Sequence, residues 1–329
     1  MRPGALTLSL AILLGMAGVF VGATLGVTSV GPAQLIKALT SVDPSSSDIV
    51  VAWRLQRVAG AFLVGACLAI AGVIYQGAFR NPLAEPFLLG SSAGGALGAA
   101  FAIFLPLPFL LDASLPTLAF AGAWGATLLV LLVSRMARIN DAAGMLLVGI
   151  AFAALLGAAR STATLVLSDE SVSLRAMISW TLGGLQTPTG ATLALFALLT
   201  LTCLAASLML ARNLDILGFG EPTAATMGVD VGRFLPLSLT VAAFATGIGV
   251  AWGGVLGFVG LIIPHAVRWW IGERHAPLLV HSALVAGGFL AALDGISRVL
   301  VAPSEIPLGL LTALIGAPFF IVLLVKRYR

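Results

Sequence analysis

The chain has 329 residues, of which 60% are hydrophobic and 9% charged. A soluble domain carries about 25% charged and 45–50% apolar residues, so this composition excludes a soluble globular fold. The net charge is +4, but no run exceeds two consecutive basic residues, which argues against a nucleic-acid-binding patch.

A membrane-spanning helix needs roughly 20 apolar residues, and the apolar stock suffices for about ten. In chain order, spans are predicted at 5–27, 57–77, 87–106, 115–134, 143–166, 190–210, 234–252, 254–271, 277–297 and 307–325. The first follows Arg2 and looks like a signal peptide, but its apolar core exceeds the usual 7–15 residues, so it is read as an anchor helix. The weak ten-residue alternation of an outer-membrane barrel is absent. With the N-terminus inside, Arg2, Arg80, Arg135, Arg138, Arg212, Arg233, Arg268, Arg274, Lys326, Arg327 and Arg329 fall on the cytoplasmic side. Lys37, Arg54, Arg57, Arg175 and Arg298 fall outside, and Arg160 lies within a span. That asymmetry satisfies the positive-inside rule. The expected fold is an all-α polytopic membrane protein of about ten helices, a single transmembrane domain over 1–329 with both termini cytoplasmic.

Two connections are long enough to fold. The outer one, 28–56, holds a helix-like piece at 32–39 and a polar run at 43–48; the inner one is 211–233. Small residues recur at four-residue spacing (Gly18/Gly22/Gly26, Gly90/Gly94/Gly98, Gly249/Gly253/Gly257), a pattern that lets helices approach closely. Cys67 and Cys203 sit in apolar stretches and read as small buried hydrophobes, not as a disulfide framework.

Isolated chemical motifs are few. The stretch from Gly90 to Gly94 matches the G-x-S-x-G pattern of serine hydrolases around Ser92, but lies in a predicted span without the required strand–turn–helix context. His265, His275 and His281 have no metal-ligand spacing. A phosphate-binding loop is impossible, because Lys37 and Lys326 have the wrong neighbours, so ATP-driven work would need a partner. Arg160 either snorkels or faces a cavity. Asp294 and Arg298 are spaced for a local i,i+4 pair.

Four segments in order carry a resemblance. They are Arg54-Leu55-Gln56-Arg57; Gln76-Gly77-Ala78-Phe79-Arg80-Asn81-Pro82-Leu83-Ala84-Glu85-Pro86 with Leu89-Gly90; Gly257-Phe258-Val259-Gly260-Leu261-Ile262-Ile263-Pro264-His265; and Glu305-Ile306-Pro307-Leu308-Gly309 followed by Thr312 to Phe320. From about Arg54 to the C-terminus the chain resembles the permease subunits of type II ABC importers, which take up iron–siderophore complexes, haem and vitamin B12. The resemblance implies a homodimer of ten-helix subunits, or a close heterodimer, with the path between the subunits. It also implies two ATPase subunits that bind ATP and magnesium inside, a substrate-binding protein outside, and no cofactor in this chain.

By the same resemblance, Arg54, Arg57 and Arg298 match arginines that dock acidic residues of the binding protein; headgroup anchoring is the alternative. Gln56 stands where the family usually has proline. The segment from Glu221 to Gly228, with Ala224 inside it, matches the family's ATPase-coupling helix. Asn81 and Leu83 match cytoplasmic-gate positions. Leu174-Arg175 with Trp180 and Gly183 match a short helix beside the pore mouth, with Gly184 replacing a common serine. Arg160, Arg175 and Trp180 are thereby candidates for the translocation pathway, and the two arginines favour an anionic cargo. The implied function is import of a bulky iron chelate, siderophore or haem, in a bacterial cytoplasmic membrane, with a corrinoid as the alternative. A secondary transporter would need acidic ion sites inside spans, for which Asp294 is the nearest candidate.

Overall fold

A computed structural model describes residues 4–26, 30–35, 46–105, 114–139, 142–167 and 171–328. These include the α-helices α1 Ala5–Thr24, α2 Ser46–Ala78, α3 Ser91–Phe104, α4 Ser114–Met136, α5 Ala142–Leu167, α6 Ser171–Thr181, α7 Gly190–Leu217, α8 Glu221–Thr226, α9 Val231–Gly253, α10 Val259–Ile271, α11 His275–Leu300 and α12 Leu308–Tyr328. A 3-10 turn, Pro86–Leu89, precedes α3. Eight of these helices are long and apolar enough to cross a membrane, while α3 and α10 are shorter apolar helices. The bundle turns on α2. It packs against α11, α9, α7 and α10, and its spanning window is mostly buried, whereas α1, α5, α7 and α12 leave most of their apolar surface outward.

Three boundaries differ from the sequence expectation. The outer connection 28–56 is helical from Ser46, so α2 carries Arg54 and Arg57 on a helix instead of beginning after them. Of the helix-like piece at 32–39, residues 32–35 are helical and 36–40 lie outside the described residues. At the other end α7 runs to Leu217, so the inner connection 211–233 shrinks to α8 and its two turns.

The third difference decides the architecture. The predicted spans 87–106 and 254–271 each open on apolar backbone that is not α-helical. Gly90 has φ 78°, Gly254 has φ 67° and Phe258 has φ 69°, and such residues interrupt an α-helix. The helices that follow have 14 and 13 residues. At 1.5 Å per residue they reach about 20 Å, short of the ~30 Å hydrocarbon core.

Non-helical backbone at that depth must find partners inside the protein. Phe258 N–H donates to Glu85 Oε1 at 2.7 Å. Within α10, Pro264 has no N–H for the carbonyl of Gly260 four residues earlier, and buried Gln76 supplies the missing donor, Nε2 to Gly260 O at 3.1 Å. This contact needs glycine on both helices, since a Cβ on Gly72 would overlap the Gly260 backbone. The Gly18/Gly22 face works likewise, seating α1 on Gly288 and Ala291 of α11.

Candidate functional site

Three places hold the residues singled out in the sequence. At one end of the bundle, Arg54 and Arg57 of α2 meet Arg298 of α11. Arg57 donates through Nε to Asp294 Oδ1 at 2.9 Å and grips Glu305 with both terminal nitrogens, at 3.2 and 2.7 Å. Arg298 lies 3.0 Å from Asp294 Oδ2 and donates to the carbonyl of Gly22 at 2.6 Å. Arg54 reaches the carbonyl of Ala23 at 3.5 Å. Gly22 and Ala23 lie in the last turn of α1, whose carbonyls have no helical donors, so the two arginines cap that helix. Trp53 packs under the Arg57 guanidinium at 5.8 Å.

Asp294 is fully buried, and Arg54 and Arg298 are each only 5% exposed. The three arginines therefore do come together, but their donors are occupied by the chain's own acceptors. Glu305, at 45% exposure, is the outermost member of the network. The Asp294–Arg298 pair expected as a local contact is one part of it, and Asp294 is a shared counter-ion.

At the opposite end, Arg80 and Asn81 close α2. Arg80 has φ 49°, its N–H bonds back to Gly77, and Asn81 Oδ1 accepts from Leu83 N–H at 3.1 Å, so Asn81 and Leu83 form one tight turn. Across from it, α8 opens on Glu221, which pairs with Arg80 at 3.4 Å. Ala224 is fully buried and seats α8 on the bundle; the other α8 residues, Gly228 and the flanking Phe219 and Met227 are exposed. Gly228, with φ 87°, ends the segment. Asp215 then accepts from both the backbone N–H and the ring of His275, at 2.9 and 2.6 Å, tying α7 to α11.

Between the ends, Arg160, Ser161 and Thr164 of α5 line a cavity of about 370 Å³ with Leu174, Met177 and Thr181 of α6. Arg160 thus faces a cavity, the second of its two readings. Arg175 is exposed beside it. Trp180 does not line it: at 1% exposure it packs with Ala96, Ala99, Ala123 and Val250, fixing α6 on α3, α4 and α9. As a pathway residue it is corrected to a packing anchor, because the indole has no open face.

Sequence reasoning gave no role to Gln76, Glu85, Asp215 or Glu305. Gln76, Glu85 and Glu305 lie within quoted segments, and a polar residue amid apolar ones was the available signal; Asp215 fell in a connection that proved to be helix.

Comparison with known proteins bears on the whole bundle. The profile of the FecCD transport family matches residues 11–326. The chain is 38% identical to the hemin transport system permease protein of Yersinia pestis, covering 88% of this chain and 86% of that one. It is 37% identical to the Fe(3+) dicitrate transport system permease protein FecD of Escherichia coli, over 84% and 85%. It is 39% identical to the cobalamin import system permease protein of Halobacterium salinarum, over 86% and 75%. A solved inward-facing structure, described as of the metal-chelate ABC type, superposes with TM-score 0.81 at 31% identity, covering 97% of this chain and 99% of that one. The chain belongs to the FecCD transport family, the multi-pass permease subunits of type II ATP-binding-cassette importers.

Proposed function

We propose that this permease carries a bulky iron chelate, a ferric siderophore or haem, from a substrate-binding protein into the cytoplasm, with vitamin B12 or another corrinoid as the alternative cargo. The observation that carries the cargo reading is the cavity between α5 and α6, which joins an apolar wall to the guanidinium of Arg160. An amphipathic anionic chelate fits that chemistry, and Arg175 adds a second cation nearby. The hemin and ferric dicitrate permeases among the relatives support it; the cobalamin permease supports the alternative.

The working complex is two copies of this chain, two ATPase subunits that hold ATP and magnesium, and an external binding protein. The end bearing α8 is cytoplasmic, with both termini, because Arg80, Arg135, Arg138, Arg212, Arg233 and Arg274 collect there. Glu221, Ala224 and Gly228 define the coupling helix. Its pairing with Arg80 passes ATPase movement directly to the Asn81–Leu83 turn, the cytoplasmic gate. Arg57 carries the docking contact, an acidic lobe of the binding protein replacing Glu305 as its outermost partner, while buried Arg54 and Arg298 hold the end of α1 beside it.

Proteoliposomes holding the chain and its cognate ATPase, supplied with binding protein, should take up haem or a ferric siderophore only with ATP inside. Uptake of cobalamin alone from the same panel would establish the alternative. Uptake driven by an ion gradient without the ATPase would overturn the importer reading.

A further inference from the structure

A groove of about 350 Å³ runs along α1 where that helix meets α2 and α11. Its α1 side is one stripe of residues at three- and four-residue spacing, among them Ile12, Met16, Val19 and Phe20. Phe62 of α2 and Leu284 of α11 face that stripe. Not one polar side chain lines the groove, so a water there would find no hydrogen-bond partner among them. From Ile12 to Ala23 the stripe follows the helix for about 16 Å at 1.5 Å per residue. One leaflet, half of the ~30 Å hydrocarbon core, has that depth.

The surroundings decide what covers it. Most of α1 is unburied by the bundle, and Ile12, Met16 and Phe20 on the groove are all exposed, so the groove continues the face that α1 turns to the membrane. Hydrocarbon on that side comes either from a lipid chain or from another helix. Helices associate in membranes through small residues that let their backbones approach. The small face of α1 is already used, since Gly15, Gly18 and Gly22 lie against the backbone of α11. What α1 leaves outward is bulky: Leu6, Leu13 and Met16 are 85%, 63% and 66% exposed. That surface suits fluid chains better than a second helix. The hydrophobic effect contributes nothing here, because lipid tails are as apolar as leucine. Contact does contribute: a concave apolar wall gains van der Waals partners on its open side when a flexible chain lies in it.

We infer that this groove holds one acyl chain of a phospholipid as a resident between α1, α2 and α11, distinct from the lipids that surround the bundle. The orientation proposed above places that lipid in the outer leaflet; the inference is otherwise independent of cargo and ATPase. Full-length chain released from phosphatidylcholine nanodiscs into a native mass spectrometer should keep one lipid per chain at an activation energy that strips the rest. Val19→Trp fills the groove and should lower the retained fraction several-fold. Leu13→Trp, on α1 but outside the groove, should leave it unchanged. Should Val19→Trp fail to fold, Met16→Trp, at an exposed position on the groove, must show the same loss. Because the groove reads the chain and not the headgroup, phosphatidylethanolamine and phosphatidylglycerol nanodiscs should give equal retention. In a second arm, Met16→Cys in native membranes reports the neighbour, since Cys67 and Cys203 are both buried. It should form no disulfide with a second copy. Such a disulfide would put another copy of the chain over the groove and overturn the assignment. Retention of the anionic lipid alone, retention unaffected by the tryptophan variants, or no lipid kept by the unmutated chain would each overturn it as well.

Discussion

At the scale of single residues, the network around Asp294 changes what the arginines mean. Opposite-sign residues on one helix suggested a local pair, but the carboxylate is fully buried and serves Arg57 and Arg298 together. Removing one member of a buried pair leaves an uncompensated charge, which costs about 3–5 kcal/mol. Asp294→Asn is therefore expected to lower the unfolding temperature in detergent strongly. Glu305→Gln, at a half-exposed carboxylate, should cost no more than about 1 kcal/mol. Because Glu305→Gln frees the Arg57 guanidinium without emptying the core, it should also raise affinity for the binding protein several-fold if docking acids compete for that group. Equal melting losses in the two variants would deny Asp294 its keystone role. A second residue-scale expectation concerns Glu85, whose Oε1 accepts the Phe258 N–H. Glu85→Gln keeps an acceptor there and should change stability little. Glu85→Ala leaves that N–H without its acceptor and should cost about 1–3 kcal/mol. Equal unfolding temperatures for the two variants would show that the contact does not hold the turn.

At the scale of elements, most helices were legible because length and hydropathy suffice to define a span. The two half-helices were not. The residues 254–258 (Gly-Val-Leu-Gly-Phe) are as apolar as the helix they precede, and a loop buried among helices has the composition of a span. What distinguishes them is backbone satisfaction, achieved by Glu85 and Gln76 from elsewhere in the chain. Two polar residues beside a Pro-containing segment were the trace of this in the sequence. The start of α2 was misplaced for the opposite reason: arginines near a membrane boundary look like a helix end until their partners on α1 and α11 are seen. Likewise Glu221 read as a helix-start acid, whereas its geometry adds a cross-element contact with Arg80. Both side chains are about half exposed, so the pair contributes no more than ~1 kcal/mol and its loss should leave the fold intact. Glu221→Lys places two cations together and should uncouple ATP hydrolysis from uptake. Adding Arg80→Glu restores the pair in reverse. If the link between α8 and the α2 turn transmits the motion, the double variant recovers uptake; if Glu221 acts only on the ATPase, the double variant stays as defective as the single one. Measured transport per ATP in proteoliposomes decides between them.

At the scale of the whole molecule, the chain is a permease subunit of the FecCD transport family. The sequence contains no G-x-x-x-x-G-K-[ST] loop, and its two lysines are Lys37 and Lys326. What the fold does provide is a set of contacts between distant segments, each made of one or two polar groups in an otherwise apolar bundle. Asp215 with His275 binds α7 to α11, Glu221 with Arg80 binds α8 to the end of α2, and Arg57 with Asp294 binds α2 to α11 at the far end. If α8 is displaced, these contacts connect it to the ends of α2 and α7, and α2 is buried through most of its length. The proposed ATPase partner would supply the work. The purified chain should show no ATP turnover above background, far below the 1–10³ s⁻¹ typical of enzymes, and should gain turnover only when the ATPase is added. That added activity should fall when α8 is unseated by Ala224→Leu, since the fully buried Ala224 has no room for a larger side chain and overpacking costs about 1–3 kcal/mol. Hydrolysis by the isolated chain at enzymatic rates would refute the division of labour between permease and ATPase. ATPase assembly and stimulated turnover unaffected by Ala224→Leu would place the coupling contact somewhere other than α8.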